Sequence, residues 1–358
     1  MLTRTRSFGW GSALLAVLLL ASGCEAPHPS GSLHRAVLTG DWEELERHAH
    51  WQTDFNQRDE MGLSPLDYAA TKDSVEIAEF LIAQGADPNA QGSYRQTALH
   101  KAALNGNLAM AQLLIERGAD IDAQDKRGNT PLHYAADTGE EALACLFCRH
   151  GAEVDVENKR GHTPLHRAAD EGHLGVAKRL IVSGADVNGG LFGERPLHRA
   201  AIKGHVDMVK LLLAFGAEVD AEDPLFWTPL HDAAYYGHAD VVKTLLEAGA
   251  DINRRSRRGH TPLHKAAISG NEAVAALLIE QGAQVNARDK RGHTALDRAE
   301  KSGHEDVVAL LLARGGRSGS QSGGGSSLNH SEPEFASCPV CSGSIAFAAG
   351  ASGNPLVR

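Results

Sequence analysis

Nineteen histidines and five cysteines stand in this chain of 358 residues. These are the side chains equipped for metal binding, acid–base work or redox chemistry, and their spacing decides among those uses. Cys338 and Cys341 form a Cys-x-x-Cys pair, as do Cys145 and Cys148. Such a pair can supply half of a zinc site or one redox disulfide. A zinc ribbon needs a second pair close by, and a thioredoxin-type site needs a β-α-β pattern around it; the C-terminal segment has neither. The expectation for Cys338 and Cys341 is therefore a local disulfide, with redox or metal-dependent activity as the alternative. Cys145 and Cys148 fall inside a helical pattern, Cys148 on its apolar face and Cys145 on its solvent face, which suits structure better than ligation. No Gly-Lys-Ser phosphate loop, His-Glu-x-x-His zinc helix or Gly-x-Ser-x-Gly elbow is present.

Most of the histidines recur at fixed positions. Six follow a leucine in the same tetrapeptide, at His100, His133, His166, His198, His231 and His264. Four follow a glycine, at His173, His205, His238 and His304, and three follow a second glycine type, at His162, His260 and His293. A residue demanded by every copy of a framework is structural by default, so no catalytic or cofactor-binding role is expected of them. Charge narrows the partners further. The formal net charge is −10 and the isoelectric point about 6.0, which argues against a general nucleic-acid binder. The densest basic run, Arg254-Arg255-Ser256-Arg257-Arg258, occupies one loop; equivalent loops carry Lys126-Arg127, Lys159-Arg160 and Lys290-Arg291, all expected to be solvated.

The elements that hold these residues are tandem copies. Ser64-Pro65-Leu66-Asp67, Thr97-Ala98-Leu99-His100, Thr130-Pro131-Leu132-His133 and Thr163-Pro164-Leu165-His166 lead the first four, and Arg195, Thr228, Thr261 and Thr294 open the next four. The interval is 33 residues except for one of 32, between Thr163 and Arg195. A degenerate first unit, Leu33-His34-Arg35-Ala36 with Gly40-Asp41, precedes them. Within one copy, Thr130 is a good N-cap, Pro131 suits the first helical position, and His133 can reach back to the Thr hydroxyl. Ala135 and Ala136 permit close packing by the next copy, and Gly139 ends a two-turn helix. A second helix carries Leu143, Leu146 and Phe147 inward to Gly151. Asn158-Lys159-Arg160-Gly161 then makes a hairpin tip with Gly161 at positive φ.

Length and motif together resemble the ankyrin repeat over residues 32–316. The resemblance implies an all-α repeat solenoid of about eight repeats plus a degenerate N-terminal cap, its helix-turn-helix pairs joined by β-hairpin loops. No unit buries its apolar face alone, and stacking joins those faces into one core. The resemblance also implies that partners meet the hairpin tips and the exposed inner-helix positions after the Ala pair. Two neighbouring copies differ from the rest there: one carries Leu191, Phe192 and Ile202, the next Leu225, Trp227, Tyr235 and Tyr236. Phe226 replaces the tip glycine, and the one-residue deletion falls just before Gly193. With aromatics only 5% of the chain, this concentration reads as a protein-binding patch. Self-packing of the aromatics over an irregular tip is the competing account. Asp137, Asp170 and Glu171 on one side and Arg257 and Arg258 on the other would steer a partner.

Both ends of the chain have a different composition. Arg4 and Arg6 precede an apolar run from Ala13 to Leu20, then Ala21-Ser22-Gly23-Cys24. That describes a secretory signal over residues 1–23, too short for a permanent span. Cysteine after Ala-Ser-Gly resembles the lipid-modification signal of bacterial lipoproteins, with Ala21 where that family usually has Leu. It implies acylation of Cys24, palmitate included, a tether over 24–31, and a membrane-anchored protein facing the periplasm or the cell surface. An ordinary cleaved signal is the alternative. Residues 317–358 read as a Gly/Ser linker and a disordered tail holding the second Cys pair. The expected function is binding of a protein partner in an adaptor, inhibitor or immunity-type role, without enzymatic activity, cofactor, metal or small-molecule substrate. A cytosolic scaffold is the rival should the N-terminus not be a signal.

Overall fold

The computed structural model describes residues 27–190 and 193–319. Among them are eighteen α-helices and no strand. They fall into antiparallel pairs of an inner and an outer helix, in chain order α1 Leu33–Thr39 and α2 Trp42–His50, α3 Pro65–Lys72 and α4 Val75–Ala83, α5 Ala98–Leu104 and α6 Leu108–Glu116. Next come α7 Pro131–Thr138 and α8 Glu141–Arg149, α9 Pro164–Glu171 and α10 Leu174–Val182, α11 Pro196–Lys203 and α12 Val206–Ala214. The last are α13 Pro229–Tyr236 and α14 Ala239–Glu247, α15 Pro262–Ser269 and α16 Glu272–Glu280, α17 Ala295–Ser302 and α18 Glu305–Ala313. This is the all-helical solenoid expected from the repeat. The expected β-hairpins are instead turns without strand pairing. They are chained by single backbone bonds: Lys126 N donates to Tyr94 O at 2.7 Å, Lys159 N to Arg127 O at 2.9 Å, Arg257 N to Leu225 O at 2.8 Å and Lys290 N to Arg258 O at 3.0 Å. At these four junctions one such bond links neighbouring units without building a ladder.

The tetrapeptide sets each inner helix. Thr130 is extended and caps α7, and Pro131 takes the first helical position, where a missing N–H costs nothing. His133 Nδ1 accepts from Thr130 N at 3.1 Å, so its proton sits on Nε2, which donates to the carbonyl of His162 in the next unit at 3.0 Å. The same two-ended bridge recurs at His100, His166, His198, His231 and His264. Leu132, Ala135 and Ala136 are fully buried. The Ala pairs pack each inner helix directly against the inner helices of the neighbouring units. Gly139 is required twice over. Its φ of 79° is left-handed, and a Cβ there would stand 2.6 Å from the His173 ring, whose Nε2 donates to Asp137 O at 3.2 Å. The histidines after the helix-ending glycines thus satisfy carbonyls at the end of the preceding unit's inner helix.

Both ends of the solenoid extend beyond the boundaries read from sequence. Residues 27–31, expected to be tether, dock on the cap. The Glu44 carboxylate accepts from the backbone N–H of Ser30 and Gly31, His48 lies 3.2 Å from Gly31 O, and the His28 and Trp51 rings stack at 3.7 Å. At the other end, Asp297 accepts from Gly319 N at 2.8 Å and from the Ser318 hydroxyl, and the Thr294 hydroxyl donates to Arg317 O at 2.9 Å. Glu300, where interior copies have the second Ala, is exposed on the last inner helix. Cys145 and Cys148 are both half-buried and both free thiols, so the division into one buried and one exposed does not hold. Cys24, Leu191, Phe192, Cys338 and Cys341 lie outside the described residues.

Candidate interaction surface

The tip between α12 and α13 is built as its neighbours are, with one strained residue. Asp223 Oδ1 accepts from Leu225 N at 2.8 Å and Trp227 N at 2.7 Å, closing the turn. Asp59, Asp125 and Asp289 close three other tips in the same way. Where those tips have Gly62, Gly128 and Gly292 at positive φ, this one has Phe226 at φ 57°. A bulky side chain in the left-handed region costs roughly 1–2 kcal/mol, and strain of this kind collects at functional sites. Phe226 is 45% exposed, Leu225 40% and Tyr236 46%.

Behind this rim the rings touch. Trp227 and Tyr235 have centroids 5.7 Å apart, and Tyr235 meets Tyr236 edge-on at 5.2 Å. The Lys265 ammonium lies 3.4 Å from the Trp227 ring centre. Trp227 and Tyr235 are accordingly half-buried and not fully solvent-facing, and Ile202 is half-buried beside them. The aromatics pack on one another, and Leu225, Phe226 and Tyr236 still present an apolar rim. Ile202, Tyr235 and Ile268 occupy the same inner-helix position in three successive units and extend that surface inward.

The steering charges divide. Glu171, Arg257 and Arg258 are exposed. Asp170 is not: it is 6% exposed and ion-paired with Arg199, while Asp137 is paired with Arg167. Each carboxylate is neutralised by an arginine from the following unit, so neither contributes a free surface charge. Glu194 joins this network. Burial raises its pKa, but the His162 and Arg199 contacts outweigh that and hold it down at about 2. Four groups of the cluster escaped the sequence reading: Lys265, Asp232, Ile268 and, as a site residue, Phe226. Comparing each position across the copies would have exposed them.

Elsewhere the surface offers shallow grooves. One of 380 Å³ is lined by Glu300, His304 and Leu312, another of 310 Å³ by Gly172, His205 and Met208. No group of three or more His, Cys, Asp or Glu among the described residues is placed to hold a metal. No described helix is long and apolar enough to cross a membrane.

The sequence model described as ankyrin repeats (3 copies) matches residues 33–125, 99–190, 165–256 and 255–321. The chain belongs to the ankyrin repeat family. Within that family it is similar to human protein phosphatase 1 regulatory subunit 27, 43% identical over 65 residues, covering 18% of this chain and 42% of that protein. Human ankyrin repeat family A protein 2 is 34% identical over 71 residues, 20% and 23% of the two chains. Human DNA-binding protein RFXANK is 32% identical over 82 residues, 23% and 32% of the two. The matched regions span less than half the length of each of these curated relatives. Ankyrin repeats with relatives of regulatory name support a module that works by contact with other proteins.

Proposed function

We propose that this ankyrin array binds a protein partner through the rim formed by Leu225, Phe226 and Tyr236 and the Trp227–Tyr235 cluster behind it, and performs no catalysis. The observation that carries the reading is the strained Phe226: a glycine would close the same tip without cost, yet an exposed aromatic stands there beside two other large apolar groups. Aromatic anchors in partly desolvated surroundings dominate binding energy at interfaces. A rigid repeat face also loses little entropy on docking, which suits an adaptor, inhibitor or immunity-type role. Glu171, Arg257 and Arg258 would steer the approach. The regulatory-subunit relative is consistent with such a role.

The N-terminal pattern supports export and lipid attachment at Cys24. Acylation there would leave only Glu25 and Ala26 before Pro27, whose carbonyl accepts from the Trp51 indole at 3.3 Å. Three residues reach about 10 Å at most, so the cap would stand against the membrane. Mass spectrometry of the purified protein tests this; a mature chain beginning at an acylated Cys24 is expected, and an unprocessed Met1 would contradict it. Affinity capture from an envelope fraction tests the binding surface. Trp227→Ala should leave the melting temperature within a few degrees of wild type while costing about 2 kcal/mol or more in partner affinity. Loss of folding without selective loss of capture would contradict the assignment.

A further inference from the structure

One unit of the array departs from a pattern that three other units share. The tip aspartate has two oxygens: Oδ1 closes the turn, and Oδ2 takes a donor from the inner helix nine residues on. Tyr68 donates to Asp59 Oδ2 at 2.6 Å, Tyr134 to Asp125 Oδ2 at 2.8 Å, and Arg298 Nε to Asp289 Oδ2 at 2.9 Å. In the unit of α13 the tip residue is Asp223, and nine residues on stands Asp232, an acceptor where a donor belongs. Among the described residues nothing donates to Asp223 Oδ2, and no hydrogen bond reaches the Asp232 carboxylate, which is 5% exposed. Burial drives the Asp232 pKa far up, the charges of Asp223 and Glu194 push the same way, and Lys265 and Arg199 oppose them. Arg199 is already engaged by Glu194 and Asp170.

A buried carboxylate without a donor is costly to keep, and phenol or arginine at this position serves three other units without that cost. We propose that Asp232 and Asp223 form a socket for a basic side chain, Arg or Lys, of the protein partner. This rests on the binding surface assigned above and names the chemistry it selects. Two oxygens lacking donors offer a guanidinium or ammonium the charge-assisted bonds it seeks. The wall beside them accepts a cation, as the protein's own Lys265 demonstrates over Trp227. Leu225 and Phe226 at the mouth would hold the apolar residue next to that cation. The partner segment is thus basic at one position and apolar beside it.

Selection of a phage-displayed library of random dodecapeptides on the full-length protein provides the test. Enriched peptides should share an Arg or Lys next to an apolar residue. Asp232→Asn should bind them about thirtyfold more weakly, and replacing their arginine with citrulline should cost a similar factor. The same variant should melt no lower than wild type, since it removes a carboxyl that burial makes costly to ionise, so weaker binding cannot be ascribed to misfolding. Enriched peptides without a basic preference, or binding unchanged in Asp232→Asn, would overturn the socket. Peptides that need Trp227 but not Asp232 would sink the socket and leave the surface standing. Peptides indifferent to Trp227, or no enrichment at all, would count against both.

Discussion

Acidification from pH 7 to pH 4 is expected to bring the array close to unfolding, because six imidazoles must stay neutral for the units to join. In each, Nδ1 accepts a backbone N–H and Nε2 donates to the next unit, so a second proton has no place without breaking the cap. Burial lowers the pKa of all six: His133, His198 and His264 to about 4, His166 and His231 to about 3, and His100 downward. In the unfolded chain the same groups titrate near 6.5. The unfolded state therefore binds more protons at every pH between 6.5 and the folded values, and stability falls as pH falls through that window. A shift of one unit is worth about 1.4 kcal/mol, so each bridge loses on the order of 1–3 kcal/mol by pH 4. Two or three such losses rival the whole stability of an ordinary domain.

The carboxylates modify this without reversing it. Glu194 and Asp289 are held low against burial by His162 with Arg199 and by His260 with Arg298, so they add further loss only below about pH 4. Asp67 and Asp232, raised by burial, gain from protonation and oppose the trend in their own units. Thermal melts at half-unit steps from pH 7.5 to 4 should show a decline that begins near 6.5. His133→Gln keeps an acceptor and a donor on one side chain, and should make that decline shallower. A melting temperature independent of pH down to 4.5 would contradict the bridge account.

Phe147→Ala should be the most damaging single truncation in the core, at about 3–5 kcal/mol. Phe147 is the largest of the fully buried side chains, on the outer helix α8. Each unit touches only its neighbours, so the loss falls on two interfaces near the middle of the row. Denaturant titration should then resolve two transitions where wild type shows one, with a smaller slope for each. Leu225→Ala, at an exposed tip position, should stay within about 0.5 kcal/mol of wild type. A single unbroken transition for Phe147→Ala at the wild-type midpoint would contradict this picture of coupling.

Much of this framework was legible because local chemistry and the repeat period agree. Thr130, Pro131, His133 and Gly139 each do in the structure what their side chains permit in isolation. The ends misled because Gly31 and Gly319 read as linker by composition, whereas their N–H groups bond to Glu44 and Asp297. Asp170 misled for another reason: its partner Arg199 stands 29 residues away and reaches it only through stacking. Trp227 and Tyr235 are less exposed than the same positions of an ideal repeat because they pack on each other, with the Lys265 ammonium over the Trp227 ring. Asp232 was readable in principle, since every other copy has tyrosine, lysine or arginine at that register.

Side-chain oxidation footprinting of the array with its captured partner tests the central claim most directly. Phe226, Trp227 and Tyr236 should lose reactivity on binding, while Tyr94 and Met61, exposed at 69% and 67% on distant tips, keep theirs. Protection of Tyr94 or Met61 with Phe226 and Tyr236 unchanged would place the partner elsewhere and contradict the account.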